Sequence, residues 1–486
     1  MRRILVLGAS GYIGSHLVPL LLERGYAVTA TARQIDLITT RFGSHEQLRC
    51  LHLDLENEAA VSEAMAEQDV VFFLVHGMAH GHDFIDYELN LAQNVTTALN
   101  RHPVKHLIYL SALQPANGRS EHLQARFLTG EILRQSAVPV TELRAGVIIG
   151  PGSAAYEIMR DFVYNLPILI TPKWVDNYAN PIALANLNHY LLMLAEHKAS
   201  SHEILEAGGP DTLTYRAQFK ELCAQTSRPF RLWATPLLTP MMAARWLGVI
   251  TSVPAAIGKA LLGGLGHHFV ASSDAIRKRY PQALVSYRDA VREALELEGE
   301  FIRSNVWGFD ETAIARWQPG FGYYPKQTGA SYRTRASALA LWQQVTQVGS
   351  HERGYFFATG LWRLREWLDV LFGGGKPIRR VPEHQPLQVG DHIDSWKVIR
   401  CEPKQFLSLL FGMKGPGLGR LEFQIRDFGE ERELTISAWW HPKGLPGLLY
   451  WFAMFPAHLF IFKGMVKALC RSALLNHTQS NQQGGN

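Results

Sequence analysis

The first fourteen residues constrain the fold more than any other part of the chain. Arg3-Ile4-Leu5-Val6-Leu7 is a short aliphatic run. It leads at once into Gly8-Ala9-Ser10-Gly11-Tyr12-Ile13-Gly14 and then into the apolar stretch Leu17–Leu22. That order reads as strand, glycine turn, helix. Gly8 permits the tight turn, Gly11 lets the backbone approach a pyrophosphate, and Gly14 lets the helix pack close on the strand. The helix start adds free N–H groups and the positive end of its dipole. A glycine-rich match says little alone, but between a strand and a helix it points to a bound dinucleotide. Pro19 falls inside the same helix and should bend it or remove one internal hydrogen bond.

The pattern repeats. Apolar runs at Ile4–Leu7, Ala27–Ala32, Leu48–Leu53, Val70–Val75, His106–Leu110 and Val140–Leu143 alternate with helical patterns such as Glu58–Ala66 and Asp86–Asn100. Glu203–Ala207 reads as a further strand and ends in the turn Gly208-Gly209-Pro210. Repeated βα units imply an α/β, Rossmann-type, doubly wound parallel sheet with its ligand at the strands' C-terminal edge.

At 486 residues the chain is too long for one ordinary domain, and 47% hydrophobic against 19% charged residues describes globular domains with large cores. The reading divides it into a dinucleotide-binding domain at 1–228, a mainly helical extension at 229–318 that closes over the cleft, an α+β domain at 325–476 and a polar, disordered tail at 477–486. A net charge of +5 without a dense basic run argues against nucleic acid as a partner. Cys50, Cys223, Cys401 and Cys470 form no close pair, which speaks against structural zinc and a disulfide framework and for a reducing cytoplasm. The N-terminal apolar run is interrupted too soon for a signal peptide.

Thr31-Ala32-Arg33 ends the second strand. An acidic residue there would accept the ribose 2′-hydroxyl of NAD, whereas Arg33 suits the 2′-phosphate of NADP. NADP is therefore the expected cofactor, with NAD as the alternative. Asp54, after the third strand, is read either as a partner of the adenine amino group or as a helix N-cap.

These segments, with Asp54-Leu55, Ile108-Tyr109-Leu110-Ser111 and Leu143-Arg144-Ala145-Gly146, resemble an atypical member of the extended short-chain dehydrogenase/reductase superfamily, in its NmrA-like and epimerase-like branch. The resemblance implies a cofactor set of Gly8, Ser10, Gly11, Tyr12, Ile13, Gly14, Arg33, Asp54, Leu55, Val75, His76, Asn94, Ser111 and Arg126. Enzymes of that family place a serine after the fifth strand and a Tyr-x-x-x-Lys pair on the next helix. Ser111 matches the serine, and Asn94, or Asn90 one turn earlier, matches the family's helix asparagine. The pair departs from the pattern: His122 and Arg126 have its spacing but not its residue types. Imidazole titrates near neutrality, so His122 suits general acid or base work, while Arg126 can supply only charge and hydrogen bonds. The catalytic candidates are thus Ser111, His122 and Arg126. The alternative is an ordinary helix start with Ser120 as N-cap. A hydride transfer between nicotinamide and an unidentified carbonyl or alcohol is implied, with a non-catalytic dinucleotide sensor or scaffold as the other reading.

His76, His80, His82 and Asp83 fall within eight residues, but without the spacing that would fix metal geometry, so no metal is assigned and the segment is read as a loop beside the nicotinamide. Tyr156 and Arg160, one helical turn apart, face the substrate pocket or lie on a helix surface.

The second half contains helical patterns at Leu339–Val348 and Leu361–Phe372. Four strand-like runs follow, at Ser395–Arg400, Phe406–Met413, Leu421–Arg426 and Glu433–Trp440. A long apolar segment, Leu445–Leu469, closes the domain. This antiparallel meander with a long C-terminal helix resembles the helix-grip fold of START and Bet v 1-like domains, which implies a cavity for an apolar ligand. Gly415-Pro416-Gly417-Leu418-Gly419 reads as a loop. Residues 444–462 carry no Asp, Glu, Lys or Arg and would span about 28 Å as a helix. Burial is favoured over a membrane span because Pro446, Pro456 and His458 interrupt the run and the meander needs a lid. Peripheral contact with the inner face of a membrane is a variant of that reading.

Overall fold

The computed structural model describes residues 2–78, 83–116, 118–229, 231–235, 247–305, 316–318, 320–350, 353–363, 386–412 and 415–483, together with Met242 and Trp367. The chain forms two compact units, Met1–Val306 and Trp307–Asn486.

In the first unit, β1 (Arg3–Leu7), α1 (Tyr12–Glu23), β2 (Ala27–Ala32), α2 (Ile35–Phe42), β3 (Leu48–His52), α3 (Glu58–Met65), β4 (Val70–Phe73), α4 (Phe84–Arg101), β5 (His106–Ala112), α5 (Glu121–Leu133) and β6 (Val140–Ala145) alternate as expected. After them come β7 (Ile148–Ile149), α6 (Ala154–Asn165), β8 (Ile168–Thr171), β9 (Tyr178–Ala179), β10 (Ile182–Ala183), α7 (Leu184–Glu196), β11 (Glu203–Ala207), β12 (Leu213–Thr214), α8 (Tyr215–Thr226) and β13 (Arg231–Ala234). The main sheet has the order β11-β6-β5-β4-β1-β2-β3, and every neighbouring pair in it is parallel. It is a Rossmann-like fold with helices on both faces.

The two faces explain the apolar runs. Ile4 and Val6 point into a core shared with Leu17, Val18 and Leu21 of α1 and Leu187 and Leu191 of α7. Leu5 and Leu7 point the other way, into a core with Val61 and Met65 of α3, Leu91 and Val95 of α4 and Leu133 of α5. A strand covered on both sides must be apolar at every position, which is why β1 reads as a run and not an alternation. α1 continues through Pro19 to Glu23. The extension supplies α9 (Ala255–Gly264), α10 (Asp274–Arg279) and α11 (Tyr287–Asn305), all within the first unit.

The second unit contains β14 (Lys326–Thr334), α12 (Ala338–Val345), β15 (His392–Ile393), β16 (Trp396–Glu402), β17 (Phe406–Phe411), β18 (Gly417–Phe428), β19 (Glu431–Pro442) and α13 (Gly444–Gln483). Its sheet runs β14-β19-β18-β17-β16-β15, antiparallel throughout. Gly429, at φ +82°, opens the two-residue turn of the long β18–β19 hairpin. Tyr355, Trp362, Trp396, Phe411, Trp440 and Trp451 belong to one core, where α12 and α13 meet the sheet. Most of the stretch expected as a helix at Leu361–Phe372 lies outside the described residues.

Three expectations change here. Gly417-Leu418-Gly419 is strand, not loop. A Cβ at Gly417 would lie 2.5 Å from Trp440 Cζ2, so the missing side chain is what lets the indole lie on β18. The polar tail is helical as far as Gln483, where α13 ends, and 484–486 lie outside the described residues; no glycine or proline follows Gly464 until Gly484, so nothing in the sequence stops the helix earlier. And 444–462 is not a buried lid. Leu448, Trp451, Ile461 and Phe462 are buried, but Leu449 and Phe460 are each 60% exposed.

Candidate functional site

The glycine turn is set by sterics. Gly8 adopts φ +92°, which favours glycine, and a Cβ there would lie 3.0 Å from Val75 Cγ2. At Gly14 a Cβ would lie 2.5 Å from the Gly8 carbonyl oxygen and 2.7 Å from Ala9 Cα, so α1 can start hard against the end of β1 only with glycine there. Gly11 is the N-cap, extended at φ −74°, ψ 172°, and has no side chain with which to cap the helix. No acidic residue occupies the first turn of α1. The cradle therefore fits an anion at the helix start, flanked by Ser10, Tyr12 and Ile13.

The opposite end of the cleft is formed by the ends of β2 and β3. Arg33 is exposed immediately after β2 and donates to the Tyr87 hydroxyl at 3.3 Å. Sequence reasoning passed over Arg41, at the end of α2, whose Nη1 donates to the Ser10 carbonyl at 3.2 Å. Asp54 is not an N-cap. Its Oδ1 accepts from Glu56 N at 3.1 Å, while Asn57 caps α3 by accepting from Ala60 N at 3.1 Å. Asn94 Nδ2 donates to the Leu55 carbonyl at 2.9 Å and to the Glu56 carbonyl at 3.2 Å. Its amide holds the turn after β3 in place.

Ser111, His122 and Arg126 are brought together where β5 ends and α5 begins, and all three are buried. Arg126 Nη2 pairs with Glu88 of α4 at 3.0 Å and donates to the Val75 carbonyl at 3.2 Å; its Nη1 donates to the Tyr109 hydroxyl at 3.3 Å. Tyr109 in turn donates to the Arg126 carbonyl at 3.1 Å. Glu88 also accepts from Gly77 N at 2.8 Å and from the Thr129 hydroxyl at 3.3 Å. Burial alone would lower the Arg126 pKa, but Glu88 and Tyr109 together outweigh it and the guanidinium is held charged. Burial pushes the Tyr109 phenol up.

His122 is the member whose chemistry changes. Burial first, then the Arg126 charge and His76, push its pKa down to about 3. It is neutral at physiological pH, so the imidazolium acid expected from its ordinary titration range is not available. Its Nδ1 is buried and, among the described residues, has no hydrogen-bond partner; the same holds for the Ser111 hydroxyl. That hydroxyl lies near enough to Tyr109 to favour its ionised form, yet outside hydrogen-bonding geometry. Ser120 accepts from Leu123 N at 3.4 Å, so the helix-start reading of this segment holds as well. The extension borders the site here, with a Cβ at Gly263 of α9 falling 3.3 Å from Ser120 Cβ. His76 is exposed, and His80 and His82 lie outside the described residues.

Glu88 and Tyr109 were missed. Glu88 shares one face of α4 with Phe84, Leu91, Ala92 and Val95, all buried, and a carboxylate on an apolar face was the available signal. Tyr156 and Arg160 are fully buried, so the reading as helix surface fails. Arg160 pairs with Glu157 at 3.0 Å, with Asp161 at 3.5 Å and with Glu298 of α11, tying the extension to α6. Burial pushes Glu157 up to about 8, despite Arg160 beside it.

A cavity of about 610 Å³ lies apart from these groups, on the outer side of α1. His16, Leu20, Arg41, Asn188 and Leu192 line it, and Ala290, Ala294 and Leu297 of α11 form one wall, while Ser111, His122 and Arg126 do not reach it.

Residues 8–161 match a family described as NAD(P)H-binding, and residues 328–465 match one described as a protein of unknown function (DUF2867). The chain is 41% identical over 66 residues to a fatty acid hydroxylase of Mycosarcoma maydis, which is 13% of this chain and 22% of that protein. It is 37% identical over 70 residues to a 3-beta-hydroxysteroid dehydrogenase of Mycolicibacterium neoaurum, covering 14% of this chain and 18% of the other. The chain thus spans about a fifth of the length of the curated relatives it matches. Among solved structures, a nucleoside-diphosphate-sugar epimerase of Staphylococcus aureus is 14% identical with a TM-score of 0.49, covering 60% of this chain and all of that one, 100%. The first unit contains an NAD(P)-binding domain.

Proposed function

We propose that the chain is an NADP(H)-dependent oxidoreductase whose acceptor is a quinone-like dicarbonyl and not a simple aldehyde or ketone. A bound NADPH supplies a hydride. The observation that carries the choice of acceptor is geometric: the Ser111 hydroxyl and His122 Nδ1 are both buried without a hydrogen-bond partner among the described residues, beside an arginine that cannot give up its proton, and burial with that charge favours the neutral imidazole. Reduction of a simple ketone leaves an alkoxide, a strong base that needs a proton donor in the site. Hydride addition to a quinone leaves a hydroquinone monoanion, a much weaker base that takes its proton from water. Ser111 and the neutral imidazole would orient one carbonyl by hydrogen bonds, and Arg126 would attract the developing negative charge. Arg33, exposed immediately after β2, supports NADP over NAD, because a guanidinium at the end of the second strand suits a 2′-phosphate. Fluorescence titration with NADPH and NADH, followed by NADPH oxidation against quinones, aldehydes and ketones, tests this directly. Turnover confined to quinones supports the acceptor class, and turnover of ketones without quinones refutes it.

One observation favours a second reading. Arg126 is fixed by three residues, Glu88, Val75 and Tyr109, the last through both the guanidinium and the Arg126 carbonyl, as a structural ion pair would be. On that reading the first unit is a dinucleotide sensor, and the second unit, an antiparallel sheet with a long C-terminal helix, is of the helix-grip type and holds an apolar ligand. Tight NADPH binding without turnover on any acceptor class is its signature.

A further inference from the structure

α13 has two unlike faces. One packs into the core of its own unit through Trp451, Phe462, Met465, Val466 and Leu469. The other carries Leu445, Leu449, Phe452, Phe455, Leu459 and Phe460, all exposed. At about 100° per residue these six fall within one arc of the helix. Such a face in a water-soluble helix is ordinarily polar. From Lys463 onward the same arc changes character: its exposed residues include Lys463, Lys467 and Arg471, one turn apart. No Asp or Glu follows Glu433 in the sequence, so the basic group has no acidic neighbour on its own helix.

We propose that the first half of α13 lies in the surface of an anionic phospholipid bilayer, with its exposed leucines and phenylalanines below the headgroups and Lys463, Lys467 and Arg471 among them. The apolar stretch from Leu445 to Phe460 is about 22 Å long, enough for a substantial in-plane contact. It does not span the bilayer. The opposite face of the same turns is committed to the protein core, and Trp440 Nε1 donates to the Gly447 carbonyl at 3.1 Å at the helix start. Charge complementarity selects the partner: apolar side chains give depth, and a basic row beside them gives preference for anionic lipid. The proposal is independent of the hydride-transfer reading, since it uses no residue of the first unit.

The test is flotation of the intact chain with vesicles of phosphatidylcholine alone or with about a third phosphatidylglycerol. The wild type is expected to float with the mixed vesicles at least about tenfold more than with neutral ones, and less at high salt. Leu449→Glu with Phe460→Glu should abolish flotation. Lys463→Gln, Lys467→Gln and Arg471→Gln together should remove the preference for anionic lipid. Both sets are at exposed positions, and unchanged far-UV circular dichroism and unfolding midpoint show that the fold is retained. A wild type that stays below both vesicle layers overturns the proposal. So does a double glutamate variant that floats like the wild type, or a wild-type self-association that the double variant abolishes while vesicles have no effect.

Discussion

Arg126 of α5 and Glu88 of α4 meet at 3.0 Å, with side chains 6% and 0% exposed. The two helices that flank the sheet beside the cleft are therefore joined by a charge pair sealed from water. Such a pair is only weak evidence of net stability, because removing two charges from water is costly. Breaking it from one side is another matter.

Glu88→Ala leaves the guanidinium buried without its counter-charge and also removes the acceptor of Gly77 N. The expected loss is about 3–5 kcal/mol of unfolding free energy by urea titration. Glu88→Leu combined with Arg126→Leu should cost clearly less than the sum of the single changes, because no charge is stranded. Strict additivity would show that the pair is not coupled.

Acidification should destabilise the first unit through His122. Its pKa is lowered from 6.5 in the unfolded chain to about 3 in the folded one, so the unfolded state binds more protons between those values. The contribution is complete above about pH 6.5 and is lost as the pH falls toward 3, amounting to roughly 4–5 kcal/mol at most. His122→Phe should flatten that part of the stability–pH curve, measured by denaturant midpoints from pH 7 downward. Identical slopes in wild type and variant would mean that His122 is not held neutral by its surroundings.

Arg33→Ala tests the cofactor preference. Loss of a charged contact to a 2′-phosphate should raise the Kd for NADPH about 10- to 100-fold and leave that for NADH nearly unchanged. Equal losses for both nucleotides would assign Arg33 to the shared part of the cofactor.

Gly14→Ala should weaken both nucleotides together, by about tenfold or more, because the added methyl has backbone in front of it and α1 must shift away from the turn. Isothermal titration with NADPH and NADH measures this. An unchanged affinity would mean that the close start of α1 is not needed for binding.

The parallel sheet was legible because its strands are covered on both faces and so appear as unbroken apolar runs. β14 was not. Lys326-Gln327-Thr328-Gly329-Ala330-Ser331-Tyr332-Arg333-Thr334 is polar and largely exposed, and it becomes a strand by pairing with β19 far along the chain. No local pattern reports such a partner. In the site, the glycine turn was legible because backbone geometry dictates the residue type. Glu88 was not, since a carboxylate on a helix is ordinarily solvated and its role depends on a guanidinium from another helix. His122 was identified by spacing, but its protonation is set by burial, which spacing does not reveal.

The pairing of β14 with β19 also has a temporal meaning. Ser331 meets Thr435, 104 positions further along the sequence, and α13 is made later still. While the ribosome works through that interval, β14 has no neighbour and the sheet's first edge stays open. Closure of the second unit is therefore a late event in synthesis, dominated by distant contacts and slow on the scale of helix formation. Until then the core tryptophans already made, Trp362 and Trp396 among them, lack their partners on β19 and α13, so the nascent chain, more than the finished protein, is the species that most needs a chaperone.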